Sequence, residues 1–101
     1  MLVVMTTTSS LGQAGDLAEK IVASKLAACV QILSPMTAVY VWEGKMQKER
    51  EHLLLIKTLE EKYDDLAALI TATHSYDIPE IVAISAEKVP GPYLEWMRQS
   101  L

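Results

Sequence analysis

The sequence predicts an α+β fold, a ferredoxin-like βαββαβ sandwich with an overlong hairpin and a short C-terminal helix. Three observations predict it. Apolar, β-branched runs and stretches of helical spacing alternate along the chain in the order β-α-β-β-α-β. Glu43-Gly44 sits between two extended runs, a strong signal for a two-residue hairpin. The whole has 101 residues, enough for one domain (1–101) around one core.

"LVVMTTT" (2–8) is β-branched and apolar and reads as the first strand. Ser10 precedes Gln13 by three, a capping-box pair that opens a helix. Ala14, Leu17, Ala18 and Ile21 then recur at three and four, and a neighbouring stripe continues through Val22 and Leu26. The expected helix is 11–28. "CVQIL" resumes extended structure and Pro35 interrupts it. Residues 37–58 read as two strands joined at Glu43-Gly44, a ribbon longer than helices of about 16 residues, or ~24 Å, can cover. Thr58 and Glu61 form a second capping-box pair, ahead of a helix over 59–73 with Tyr63, Leu66, Ile70 and Thr73 inward. "EIVAISAE" (80–87) is apolar on both faces and is expected as a central or covered strand. "PGPYLEWMRQSL" supplies Pro92 at a first helical position and Tyr93, Trp96 and Met97 on one side of a short helix.

Right-handed crossovers on either side of the hairpin place both longer helices on one face of an antiparallel sheet. The hairpin's excess length would leave backbone edges unpaired unless another chain covers them. A closed homo-oligomer built by strand pairing is therefore expected, and Tyr40 and Trp42 on one ribbon face favour it over an exposed hairpin.

Composition removes several function classes. The net charge of −4, with no Lys/Arg cluster, argues against nucleic acid and anionic membranes as partners. No apolar run approaches the ~18 residues of a membrane span. The single Cys29 excludes an internal disulfide framework and suits a reducing, cytoplasmic setting. It follows Ala27-Ala28 and reads as a small buried hydrophobe. There is no Ser/His/Asp or Cys/His pattern and no glycine-rich phosphate loop, and "TTTSSLGQ" lacks the cation that an acylphosphatase would need. No enzyme is expected.

"LAACVQI", "VYVWEGK", "EREHLLLIKT", "HSYDIPEI" and "YLEWM", in that order along nearly the whole chain, resemble the divalent-cation-tolerance family CutA. The resemblance implies the ferredoxin-like fold, tight trimers sharing hairpin strands, and a link to copper and heavy-metal tolerance. It also implies an architecture similar to PII signalling proteins and no established catalytic activity. Some bacterial members are described with a copper site made by a first-strand cysteine and two adjacent histidines. Those positions fall here on Thr6, Thr73 and His74, so only His74 keeps a ligating side chain.

The candidate site follows from topology. If the last strand runs antiparallel to the first, Glu80 begins beside Thr6–Thr8, and residues 49–52 start at the same end. A pocket edge of His74, Tyr76, Glu80 and Glu51 results. His74 is the candidate metal ligand, in an imidazole–carboxylate set suited to Zn²⁺ or Cu²⁺. The alternative is that His74 closes its helix against the dipole while Tyr76 plugs the core rim. Ser75 and Asp77 suit turn capping, and Pro79 holds Ile78 extended. His52 reads as a surface histidine.

Lys57 lies at the far end of the sheet from His74 in the same chain. It is expected either in an ion pair or in an inter-subunit cleft where Tyr40, Trp42 and Trp96 form apolar walls, unless those aromatics only pack. Two roles follow: a homotrimer binding or responding to divalent metal, or a PII-like trimer binding a small-molecule metabolite between subunits.

Overall fold

The structure, a computed structural model, describes all 101 residues. Strands β1 (Leu2–Thr8), β2 (Cys29–Ile32), β3 (Met36–Trp42), β4 (Lys45–Thr58) and β5 (Val82–Ser85) form one antiparallel system with helices α1 (Leu11–Ala23), α2 (Tyr63–Thr73) and α3 (Gly91–Ser100). The sheet order is β2-β4-β1-β5, and β3 also pairs with β4. This is the mixed α+β, ferredoxin-like arrangement expected from the element order.

The 14 residues of β4 organise the molecule. Its second half lies between β1 and β2, with Thr8 opposite His52, Leu2 opposite Thr58 and Cys29 opposite Lys57. Its first half has β3 as its strand partner, from Met36 opposite Glu51 to Trp42 opposite Lys45. The ribbon therefore projects beyond the body. At about 3.4 Å per residue a strand of this length accounts for the molecule's long axis of 45 Å against 25 and 23 Å across. Glu43 and Gly44 both have positive φ (51° and 78°), the two-residue I′ turn whose twist matches a right-handed ribbon.

Between β2 and β3 the chain carries one extra residue. Ile32 faces Leu54 and Met36 faces Glu51, so four steps on one side match three on the other. This bulge, at the proline the sequence flagged, reverses the alternation. Val30 and Ile32 face α1 and α2 together with Leu54 and Ile56, whereas Tyr40 and Trp42 share the opposite face with Glu51.

The core fills the helix-bearing face. Val4, Leu54 and Ile56 meet Ala14, Leu17 and Ile21 of α1 and Leu66 and Ile70 of α2, all buried. Burying a large aliphatic side chain contributes roughly 1.5–3 kcal/mol, so this cluster dominates the body's stability. Lys57, on the other face, places its Nζ 5.9 Å from the Tyr93 ring and so brings α3 there, with Met97 buried beneath it.

Four local expectations are corrected. Helix α1 ends at Ala23 rather than 28: Lys25 takes φ 58°, and the amides of Lys25 and Leu26 donate to the carbonyls of Val22 and Ile21. This Schellman ending normally uses glycine, and a lysine there gives no warning in the sequence. Thr58 is no helix cap. It ends β4, and its buried hydroxyl donates to the Leu26 carbonyl at 2.7 Å, while a 3₁₀ turn (Glu60–Lys62) leads into α2. Thr73 is exposed, its hydroxyl turned back to the Leu69 carbonyl. Strand β5 is an edge with β1 as its partner, and all four of its residues are exposed, so its two-sided apolarity does not reflect a central place in this chain.

Candidate functional site: an acidic, aromatic cleft

The connector 74–81 leaves α2 and crosses under the root of the ribbon. His74 fixes its start. The Tyr76 amide donates to His74 Nδ1 at 3.0 Å, so Nδ1 is the acceptor and the proton sits on Nε2, which donates to the Thr7 carbonyl. The imidazole thus does what an Asx side chain does in a turn, and at the same time ties the connector to β1. Its ring lies 4.7 Å from the Tyr76 ring at 48°. Ser75 reaches Gln13 of α1 at 3.4 Å.

Tyr76 then points across to β4 and donates its hydroxyl to Glu51 Oε2 at 2.8 Å. Glu51 is only 7% exposed, an ionisable group carried almost out of water. Burial, the hydrogen bond to Glu51 and the charge of Glu51 together push the Tyr76 phenol well above its ordinary value. Tyr40, on the ribbon, is raised as well, by burial and then by the charges of Glu49 and Glu51.

Between ribbon and connector lies a cleft of about 590 Å³. Tyr40 and Trp42 form one wall, Tyr76 and Ile78 the other, and Thr7 and Glu51 part of the floor. Asp77 and Glu80 stand on the exposed rim. No lysine, arginine or histidine lines it.

Five of the residues singled out in the sequence therefore meet here: Tyr40, Trp42, Glu51, Tyr76 and Glu80. His74 borders a separate small recess beside Thr8, Gln13 and Thr73, behind Tyr76. Lys57 and Trp96 are at the other end of the sheet with Tyr93, whose ring lies 5.5 Å from that of Trp96. Within one chain the three aromatics Tyr40, Trp42 and Trp96 do not share a cleft. His52 is half-buried rather than a free surface group, its Nδ1–H donating to the Leu33 carbonyl at 3.2 Å next to the bulge. Cys29 is half-buried.

Sequence reasoning passed over Thr7 and Asp77 as cleft residues. Thr7 could have been found by strand parity, since it pairs with Leu53 and therefore shares Glu51's face. Asp77, expected to cap a turn, lines the cleft instead, and His74 fills the capping role.

The donor set can be tested against a metal ion. No group of three or more His, Cys, Asp or Glu side chains converges on one point. Both His74 nitrogens are engaged with backbone groups. Thr6 offers a hydroxyl, not a thiolate, and is fully buried on the helix-bearing face among Val4 and Leu54. The residues of a single chain do not fit a chelate.

The sequence profile described as "CutA1 divalent ion tolerance protein" matches residues 2–100. The Divalent-cation tolerance protein CutA of Thermus thermophilus is 37% identical over 98 residues, 97% of this chain and 95% of that protein. The chloroplastic Protein CutA of Arabidopsis thaliana is 40% identical over 99 residues, and the chain spans only 54% of its length, about half. The crystal structure of CutA1 from Oryza sativa superposes with a TM-score of 0.95 at 41% identity, covering 98% of this chain and 91% of that one.

Proposed function

Because the chain belongs to the CutA1 divalent ion tolerance family, we propose that it acts in divalent-metal tolerance as a closed homotrimer that binds or responds to metal ions, without catalysing a reaction. The observation that carries the proposal is the unsupported half of the ribbon. Val41 is 67% and Met46 73% exposed, and Val39, Tyr40 and Trp42 lie open beside them. At the opposite edge β5 exposes Val82 and Ile84 together with its unpaired backbone. A projecting ribbon and an open apolar edge on one small molecule are complementary needs, and neighbouring copies supply both. The ribbon calls for closure, and the number three is what the resemblance to the family implies. A reducing, cytoplasmic setting belongs to the same proposal and is supported by the lone thiol.

Metal contact in this reading centres on His74, which would have to exchange its hydrogen bond with the Tyr76 amide or the Thr7 carbonyl for the ion, with further ligands pooled from neighbouring copies, since one chain supplies no chelate. Calorimetric titration of Cu²⁺ and Zn²⁺ into the wild type and His74→Ala tests it. Binding lost in the variant supports the metal at His74. Equal, weak binding by both proteins would remove it.

One observation favours a second reading, a PII-like trimer that binds a small metabolite between subunits and presents it to a partner. The cleft at the ribbon's root has the size of small-molecule sites, about 300–1,000 Å³, with apolar walls and few polar groups.

A further inference from the structure

We infer that the acidic cleft at the ribbon's root is a docking surface for a second copy of this chain, filled by the basic face of that copy's ribbon. The inference rests on the assembly proposed above and states which surfaces meet in it.

Residues directly opposite each other in an antiparallel pair lie on the same side, so the register divides the ribbon by face. One face carries Glu49 and Glu51 of β4 with Tyr40 and Trp42 of β3, and Lys45 at the far tip. At its root this face opens into the cleft, where Asp77 and Glu80 add two more carboxylates. The other face carries Lys48 and Arg50 with Val39, Val41 and Met46, all exposed, and no acidic residue. The bulge before β3 produces this division. Without its extra residue Tyr40 and Trp42 would alternate onto the basic face, away from Glu51.

Sign, spacing and contact chemistry then agree. Lys48 and Arg50 are two residues apart on one strand, as are Glu49 and Glu51, so both pairs repeat at about 7 Å. The basic face also brings aliphatic side chains to the aromatic walls and the exposed Ile78 of the cleft. Stacking like faces instead sets charges of one sign against each other, which opposes a symmetrical face-to-face pair. A basic face seated on an acidic cleft is a head-to-tail contact, the kind that repeats around a ring until it closes. Each copy thus contributes Lys48 and Arg50 to the cleft of the next.

Subunit exchange between isotopically labelled and unlabelled chains, followed by native mass spectrometry, tests this, with circular dichroism to check that each variant is folded. Lys48→Glu/Arg50→Glu reverses the basic face. Glu49→Lys/Glu80→Lys reverses two exposed carboxylates of the acidic one and leaves the bond between Tyr76 and Glu51 in place. Each double variant should speed exchange by about tenfold or more. The two change net charge in opposite directions, so a general repulsion between chains cannot speed both. All four changes in one chain should bring the rate back toward wild type. Arg50→Gln removes one exposed charge and reports should a reversed face fail to fold; it should exchange faster than Lys20→Gln, which removes an exposed charge from α1. The inference is overturned if either reversed face exchanges at the wild-type rate, if the combination stays as fast as the reversed faces, or if Arg50→Gln and Lys20→Gln exchange alike. A trimer indifferent to these changes removes this inference alone, whereas wild-type single chains remove the assembly proposal beneath it.

Discussion

The Tyr76 hydroxyl donates to Glu51 Oε2 at 2.8 Å, joining the connector after α2 to the point where β4 leaves the body and becomes the ribbon. One hydrogen bond therefore sets the relation between the two walls of the cleft.

Tyr76→Phe removes the donor and leaves a nearly buried carboxylate without it. The expected loss is about 1–3 kcal/mol in urea denaturation at fixed chain concentration. Glu51→Gln, which keeps an acceptor and removes the charge, should cost less. A Tyr76→Phe protein as stable as wild type would mean that water replaces the phenol without penalty.

The same pair predicts an alkaline dependence. Tyr76 is held neutral in the folded chain, its pKa raised above the ordinary value of 10.0 by burial and then by Glu51. A proton bound more tightly in the folded state adds stability that is intact below the unfolded value and is lost as pH rises through the folded one. Spectrophotometric titration should show a phenol ionising late, above about pH 10. That late component should shrink in Tyr76→Phe, leaving only the share of Tyr40, and shift down in Glu51→Gln. An unchanged titration curve in both variants would contradict the assigned hydrogen bond.

Thr6 carries the one buried side-chain oxygen without a partner, in the middle of the core. Thr6→Val keeps the shape and removes the unsatisfied hydroxyl, so it should stabilise the fold by about 1 kcal/mol. Chemical denaturation reads this directly. Destabilisation would reveal a polar partner for Thr6.

Lys25 adopts the left-handed conformation that ends α1. Lys25→Gly should stabilise by roughly 0.5–1 kcal/mol, the relief of the side chain's clash less glycine's greater unfolded-state entropy. A destabilised variant would show that the lysine side chain contributes more than its backbone strain costs.

These positions also mark where the sequence was readable. The alternation of apolar runs and the Glu43-Gly44 turn gave the element order and the ribbon, because both are written in local periodicity and turn chemistry. The Schellman ending at Lys25 was hidden because its usual glycine is absent. The Thr58–Glu61 pair misled because a capping spacing is only an option for the chain, and the Leu26 carbonyl offered Thr58 a buried partner instead. Strand β5 looked central because apolar faces do not say whether the cover comes from the same chain.

At the site, antiparallel pairing brought Glu51, Tyr76 and Glu80 together on paper and in the structure. The reach of Tyr40 and Trp42 into that cleft was not legible, because it depends on a one-residue bulge that only the register between Ile32 and Met36 discloses. The task of His74 in holding the turn likewise depends on a contact with Thr7, 67 positions away in the chain.

Sedimentation velocity on the wild-type chain, diluted to the lowest concentration that can be detected, tests the account most directly. A particle with three times the mass of the 11.2 kDa chain, persisting on dilution, is the predicted result. Folded single chains at that concentration would contradict it, since the projecting ribbon would then be stable without a neighbour.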